Sequence, residues 1–114
     1  MKALCIRQPF ASMLAALAPI TETRMWSTKY RGPILIVASK TGAPPGMPTG
    51  QAVAICELTE CRHVTAQDAK TAYCVSSPEA YAWIFTNMRP VIPFNVRGRQ
   101  GLFDVELPAG VERP

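Results

Sequence analysis

The sequence PILIVA, residues 33–38, is a continuous apolar run between a glycine turn and a segment rich in glycine and proline, residues 41–50. A short apolar run between turn signals is typical of a fully buried strand, whereas the segment that follows predicts an irregular loop. Further strand patterns occupy residues 2–6, 20–26, 51–58, 81–86 and 102–107. Pro90 and Pro93 are expected to end the strand that begins at residue 81.

Helical patterns are few and short. Pro9 suits the first turn of a helix, and the apolar residues that follow recur at helical spacing until Pro19 ends the pattern. These residues are Phe10, Met13, Leu14 and Leu17. A weaker helical signal covers residues 65–73, and residues 76–79 predict a cap or turn. The pattern therefore predicts an α+β fold, a small mixed or antiparallel β-barrel of five to six strands, closed or nearly closed, with two or three short helices.

Length and composition exclude several classes of protein. The chain has 114 residues, 48% hydrophobic and 18% charged, which predicts one domain over residues 1–114 and argues against a disordered chain. No apolar run approaches the roughly 20 residues that cross a bilayer. The apolar stretch before Arg7 is too short for a signal peptide. We therefore expect a soluble cytoplasmic protein without membrane association.

Positive charge is concentrated in two blocks. The net charge is +4, and eight of the twelve basic residues are arginine. Residues 1–40 hold six basic residues and one acidic residue, and residues 87–103 hold three arginines and no acid. If the blocks meet in the fold, they form a positive face suited to phosphate. The alternative is that the charge serves only solubility.

The four cysteines do not predict a cofactor. Disulfides are not expected without a secretory signal. Cys56, Cys61, His63 and Cys74 could be drawn as a zinc site, but they are not spaced as the two close pairs of a zinc motif. We expect no metal and no other cofactor, and His63, the single histidine, has no triad pattern around it.

Two polar blocks near the N-terminus suggest a binding site. Arg7 and Gln8 stand between a strand and a helix start, where free N–H groups attract anions. Glu22, Arg24 and Trp26 alternate onto one face of a strand, where arginine would keep a buried carboxylate ionised and tryptophan could stack on a base. The alternatives are a bracing pair between Arg7 and Glu22, and a salt bridge beside a core tryptophan.

Further candidates lie where other predicted strands begin or end. Ser39 and Lys40 emerge at the end of the buried run, and a lysine there can bind phosphate or act as a base. The glycines around Arg97 and Arg99 allow close approach of the backbone to a ligand. A solvated strand end and a solvated loop are the alternatives. The candidate contacts for a nucleic acid are Arg7, Gln8, Arg24, Trp26, Tyr30, Arg31, Ser39, Lys40, Arg97 and Arg99.

In this order, the blocks resemble the ASCH domain family, the activating signal cointegrator homology domains of the PUA-like superfamily. The matching segments are residues 4–11, 22–26, 30–33, 36–40, 50–58, 81–84 and 96–103. The resemblance implies a PUA-like β-barrel with a cleft formed by these motifs, and a ligand that is RNA or related to a nucleotide. Some relatives are small amidohydrolases that act on an acylated cytidine, and ribonuclease activity also occurs in the family.

This chain departs from the family pattern at the positions that carry catalysis. Leu17 and Pro19 stand where the family commonly has Gly-x-Lys, and Glu22 stands where the amidohydrolases have threonine. Phe10 replaces a common tryptophan, and Val37 replaces a frequent histidine. Proline cannot supply an ammonium group, so Lys40 is the nearby candidate substitute.

Three hypotheses follow from these residues. The first is a basic cleft that binds RNA, another single-stranded nucleic acid or a nucleoside-like small molecule. The second is an amidohydrolase-like or ribonuclease-like enzyme, in which Glu22 and Lys40 are catalytic and Arg24 holds an oxyanion. The third is a protein-interaction domain, which predicts a large exposed apolar patch.

Overall fold

A computed structural model describes residues 1–73 and 77–111 of the chain. Its elements, in chain order, are β1 (Lys2–Ile6), α1 (Phe10–Ala15), β2 (Glu22–Arg24), β3 (Gly32–Ala38), β4 (Gln51–His63), α2 (Ala66–Ala69), β5 (Tyr81–Asn95) and β6 (Leu102–Asp104). Cys74 and the start of the turn predicted at residues 76–79 lie outside the described residues.

The six strands form one sheet in the order β2-β5-β4-β3-β1-β6. Strands β1 and β3 are parallel, and the other neighbouring strands are antiparallel, so the sheet is mixed. The sheet curls into a half-barrel, which confirms the predicted class with six strands and two short helices. Strands β2 and β6 are its edges, and within residues 1–73 and 77–111 they do not pair with each other.

Strand β3 supplies the centre of the core, as the sequence predicts. Its residues 34–38 are fully buried, because the strand has neighbours on both edges and apolar groups against both faces. Ile34 and Ile36 pack on one face with Leu14 and Trp83, and Leu35 and Val37 pack on the other. A continuous apolar run is what a strand covered on both faces requires.

Strands β4 and β5 are longer than the sequence pattern suggests. The predicted break at Pro90 and Pro93 is wrong, since β5 continues to Asn95. Strand β2 covers only Tyr81 to Trp83 of β5, so among the described residues the rest of β5 has a free edge, where a missing N–H is tolerated. The pairing of β4 with β5 contains three register shifts, at which the ladder of paired residues is irregular.

The helices and the last strand are shorter than predicted. Helix α1 ends at Ala15, and Leu17 has φ +63° and is 67% exposed, so the expected apolar stripe stops at Leu14. Only residues 66–69 of the weak signal at 65–73 are helical, and β6 ends at Asp104. Within residues 1–73 and 77–111, each helix is too short to span a lipid bilayer.

A side-chain hydrogen bond joins the edge strand β2 to β1, the strand next to the opposite edge of the sheet. Arg24, on the edge strand β2, donates from Nη2 to the carbonyl oxygen of Cys5 on β1 at 2.5 Å. Strands β5, β4 and β3 stand between these two strands in the sheet. The curl therefore brings β2 back against β1 and leaves an opening between them.

Helix α2 is held by a capping box and an ion pair. The Thr65 side chain accepts from the backbone N–H of Asp68, and the Asp68 carboxylate accepts from the N–H of Thr65 at 2.8 Å. Arg62 of β4 donates to the same carboxylate at 2.6 Å. The hydrogen bond from Arg62, followed by the one from the Thr65 backbone, lowers the pKa of Asp68 from 3.8 to about 2.

We expect Asp68→Asn to lower the free energy of unfolding by roughly 1–2 kcal/mol at pH 7, because it removes the charge that caps α2 and pairs with Arg62. The folded pKa lies below the unfolded one, so this contribution is present above about pH 4 and is lost as pH falls through about 2. Urea unfolding between pH 7 and pH 3 measures the difference, which should shrink with acid.

The matched control is Asp104→Asn, which removes an exposed ion pair with Lys2. Exposed pairs contribute little, so we expect a change within about 0.5 kcal/mol. Equal effects of the two variants at pH 7 would contradict the role given to the Asp68 cap.

Candidate functional site

The opening between β2 and β1 is a cleft of about 840 Å³. It lies where the ends of β1, β2 and β3 meet the segments 39–41 and 97–101. The structure brings eight of the predicted residues to this one cleft: Arg7, Glu22, Arg24, Trp26, Ser39, Lys40, Arg97 and Arg99.

Exposed cations surround the mouth of the cleft. We call Arg7, Lys40, Arg97 and Arg99 the cationic rim; all four side chains line the cleft and all four residues are exposed. Arg7 follows β1, Lys40 follows β3, and Arg97 and Arg99 lie in the segment between β5 and β6. The curl of the sheet thus joins the two basic blocks of the sequence.

Two glycines leave room for rim side chains. A Cβ at Gly42 would stand 2.7 Å from Nη2 of Arg7, and a Cβ at Gly50 would stand 2.5 Å from Cε of Lys40. Both glycines also have positive φ, 66° and 64°. Any side chain at either position would displace the cation that lies across it.

The floor of the cleft carries a buried carboxylate. Glu22 is 3% exposed, and its Oε1 accepts from Nε of Arg24 at 2.8 Å. Its Oε2 is buried and has no hydrogen-bond partner among residues 1–73 and 77–111. Burial raises the pKa of Glu22, and the charge and hydrogen bond of Arg24 oppose that rise. We call Glu22 and Arg24 the floor pair.

Aromatic side chains form part of the wall. Trp26 follows the floor pair along the chain, is 36% exposed and packs edge-on against Trp83 with ring centroids 4.8 Å apart. Phe10 and Tyr73 stack with their centroids 3.9 Å apart, and both line the cleft. The contact with Trp83 leaves Trp26 partly exposed, so its indole keeps accessible surface for a flat ligand.

Three predicted contact residues do not line the cleft. Gln8 is 3% exposed: its Oε1 accepts from the backbone N–H of Ser12, and its Nε2 donates to the Ser12 hydroxyl and to the Pro48 carbonyl. Tyr30 donates its hydroxyl hydrogen to the Pro33 carbonyl, and Arg31 donates to carbonyl oxygens of its own turn. The placement of Gln8, Tyr30 and Arg31 therefore does not support ligand contact.

Two further expectations are corrected. The backbone N–H groups of Ala11, Ser12 and Met13 bond to protein acceptors, so the start of α1 is not open to an anion. The partner of Glu22 is Arg24, so the alternative pairing of Arg7 with Glu22 is wrong. Arg7 instead lies across Gly42 at the rim.

The sequence did not single out several lining residues. Tyr73 follows a weak helical segment and carries no motif, while Thr23, Thr41 and Gln100 neighbour predicted residues. Cys5 also lines the cleft, and Gly98 lies close to its Sγ, since a Cβ at Gly98 would stand 3.0 Å away. Burial raises the pKa of the Cys5 thiol.

The described part of the chain holds no group of three or more histidine, cysteine or carboxylate side chains that could bind a metal. Cys56 is buried in the core, and burial raises the pKa of its thiol to about 12. His63 stacks on Tyr81, 4.4 Å between centroids, and does not line the cleft. Pro19, at the family's usual lysine position, does not line it either.

Comparison with known proteins identifies the fold and the family model that the chain matches. The model described as the ASCH domain matches residues 4–95. The crystal structure of ASCH from Zymomonas mobilis is similar, with a TM-score of 0.65, 13% identity, and coverage of 92% of this chain and 87% of that one. Two mutant structures of that protein give TM-scores of 0.71 and 0.68 at 13% identity, again over 92% of this chain, with 87% and 89% of theirs covered. No curated protein matches the chain in sequence.

We expect Arg24→Met to lower the free energy of unfolding by about 3 kcal/mol at pH 8, because it leaves the Glu22 carboxylate buried without a partner. Loss of Arg24 raises the pKa of Glu22 further. A carboxyl group with a raised folded pKa favours folding at low pH and loses that contribution as pH rises through the folded pKa. The cost of Arg24→Met should therefore be smaller at pH 5 than at pH 8.

Chemical denaturation at the two pH values measures this cost. In the double variant Arg24→Met with Glu22→Gln, no carboxylate remains to be buried, and the added pH dependence should disappear. An equal cost of Arg24→Met at pH 5 and pH 8 would show that the partnership with Glu22 does not control stability.

Proposed function

The chain belongs to the ASCH domain family, and we propose that its cleft binds RNA, another single-stranded nucleic acid or a nucleotide. One observation carries the proposal: five cationic side chains and one buried carboxylate line a single cleft of about 840 Å³. The expected ligands of the family, RNA and nucleotide-like molecules, carry the phosphate that such a cleft attracts.

The charge of the cleft favours an anionic ligand. Arg7, Lys40, Arg97 and Arg99 have no carboxylate partner among the described residues, so their charges are available. Arginine binds phosphate through a planar fork of donors. Exposed cations also attract phosphate from a distance, and added salt screens this attraction. Binding should therefore weaken strongly as salt is added.

The size and wall of the cleft favour a base beside the phosphate. Binding sites for small ligands measure roughly 300–1,000 Å³, a range that includes this cleft. The partly exposed Trp26 offers a stacking surface, and stacking contributes about 1–3 kcal/mol per base without requiring one sequence. Single strands suit such a cleft because their bases are free to enter.

The exposed apolar residues do not favour the protein-interaction hypothesis. The large exposed apolar side chains of the described residues are Leu17, Met25, Trp26 and Ile92. They lie on separate segments, after α1, after β2 and near the end of β5, and Trp26 lines the cleft. Single exposed apolar residues are common on soluble domains.

We expect a short single-stranded RNA to bind with an affinity that falls as salt rises. Three to five phosphate contacts give a slope of about −2 to −3.5 in a plot of log affinity against log salt. Fluorescence anisotropy of a labelled oligoribonucleotide measures the slope between about 50 and 200 mM salt, where affinities that depend on phosphate contacts fall steeply. Absence of salt-dependent binding at micromolar protein contradicts the proposal.

A matched pair of lysine variants locates the binding surface. Lys40→Met should weaken RNA binding and reduce the slope by about 0.7, since one phosphate contact is lost. Lys29→Met removes an exposed lysine that does not line the cleft, and should leave the slope unchanged. Equal slopes for the two variants would place the RNA elsewhere on the protein.

A hydrolase is the second candidate, favoured by the Glu22 carboxylate. A buried carboxyl group with a raised pKa and a free oxygen is typical of a general base that takes a proton from water. Lys40 would stabilise negative charge that develops on the substrate, and Arg24 would hold the carboxylate in place.

For this second candidate we expect Glu22→Gln to lower turnover of an acylated cytidine or a short RNA by at least 100-fold, since general-base catalysis contributes roughly 10²–10⁴-fold. Product formation measured by chromatography checks this, with Glu79→Gln as a control outside the cleft. Equal turnover by wild type and Glu22→Gln would assign the activity to other residues or to a contaminant.

A further inference from the structure

The charges of the cleft are arranged in two layers. The rim cations Arg7, Lys40, Arg97 and Arg99 are exposed, whereas the Glu22 carboxylate lies buried at the floor. We propose that the cleft takes a nucleotide in one orientation, with the base against the floor pair and the phosphate at the rim. This inference rests on the proposed function and adds to it the orientation of the bound nucleotide.

The floor pair disfavours a phosphate group. Glu22 and Arg24 carry opposite charges 2.8 Å apart, so together they present no net charge. A phosphate placed there would meet a carboxylate whose Oε2 has no hydrogen-bond donor within residues 1–73 and 77–111. In a buried setting, repulsion between like charges is screened far less than at the surface.

The same floor pair suits the edge of a base. Arg24 uses Nε for Glu22 and Nη2 for the Cys5 carbonyl, which leaves Nη1 without a partner in the described part of the chain. Oε2 of Glu22 likewise needs a donor. The floor pair thus has one donor and one acceptor without a partner in the described residues, and bases carry an N–H beside a ring or carbonyl acceptor.

A buried polar atom without a partner costs free energy until a ligand or water satisfies it. Ribose 5-phosphate offers Oε2 only hydroxyl donors, whereas every base carries an N–H donor on its ring or on its exocyclic amino group. Trp26 lies two residues beyond Arg24, on the wall where a base at the floor can stack. The donor of Arg24, the acceptor of Glu22 and the indole of Trp26 therefore all favour contact with the base of a nucleotide.

The rim suits the phosphate. Its four cations are exposed to solvent, so a phosphate bound there keeps part of its hydration while it gains charge-assisted hydrogen bonds. Gly42 and Gly50 leave the space that the Arg7 and Lys40 side chains occupy at the mouth of the cleft. A single strand would then run along the rim and turn one base inward.

The test compares two kinds of ligand that share the ribose phosphate, one with a base and one without. Isothermal titration calorimetry measures binding of the four ribonucleoside 5′-monophosphates and of ribose 5-phosphate to wild type and Glu22→Gln. The proposal predicts that Glu22→Gln weakens the best-bound nucleotide at least tenfold, because a charged hydrogen bond is lost. It predicts that ribose 5-phosphate binds the variant as tightly as wild type or tighter, because a repulsive charge is gone.

The matched control is Glu79→Gln, an exposed residue that does not line the cleft, which should change neither affinity. Circular dichroism and thermal unfolding establish that Glu22→Gln is folded. A measurement on wild type alone avoids the question of folding: methylation of the N–H at position 3 of uridine monophosphate should weaken its binding relative to the parent, if that nucleotide is bound.

The outcomes separate the inference from the function on which it rests. If Glu22→Gln tightens nucleotide and ribose 5-phosphate alike, phosphate lies at the floor and the orientation is wrong. If the variant changes neither affinity, the base does not contact the floor and the orientation is again wrong, while the cleft remains a nucleotide site. If wild type binds neither the nucleotides nor the oligoribonucleotide, the proposed function itself fails.

Discussion

Arg24 makes the contact on which the site depends. Its guanidinium donates to Glu22 on its own strand and to the backbone of Cys5 on β1. These two strands are separated by three others in the sheet, so the contact ties the edge strand β2 to the opposite part of the half-barrel. The same guanidinium keeps a buried carboxylate paired at the floor of the cleft. One side chain thus links the curl of the sheet to the electrostatics of the opening.

The layered arrangement of charge has a physical reason. An ionised carboxylate is costly to bury without a cation beside it, and Arg24 meets that need with Nε while its Nη2 donates to the Cys5 carbonyl oxygen. The rim cations have no such partner in the described residues and remain exposed, where hydration stabilises them. This separation is the reason we propose an anion at the rim and a neutral polar group at the floor.

Much of the fold could be predicted from local patterns. The run at 33–38, the strand at 2–6 and the loop at 41–50 appear as expected, because apolar periodicity and turn residues act over a few positions. Pro90 and Pro93 misled the prediction, since their effect depends on whether the neighbouring edge is paired. Leu17 likewise fits the helical stripe in sequence but lies beyond the end of α1. Glu22, Arg24 and Trp26 were found through their alternation, whereas Tyr73 carried no local signal.

The sequence alone determined which chemical groups are present, the small curled β-fold and the family. It could not determine which groups face one cavity, because that depends on contacts between residues far apart in the chain. Gln8 and Arg7 are adjacent, yet one turns inward to hold the start of α1 and the other lines the rim. Only tertiary structure brought Arg24 to the Cys5 carbonyl oxygen and joined the two basic blocks. The curl of the sheet is a property of all its strands together, since each strand contributes only a part of the twist.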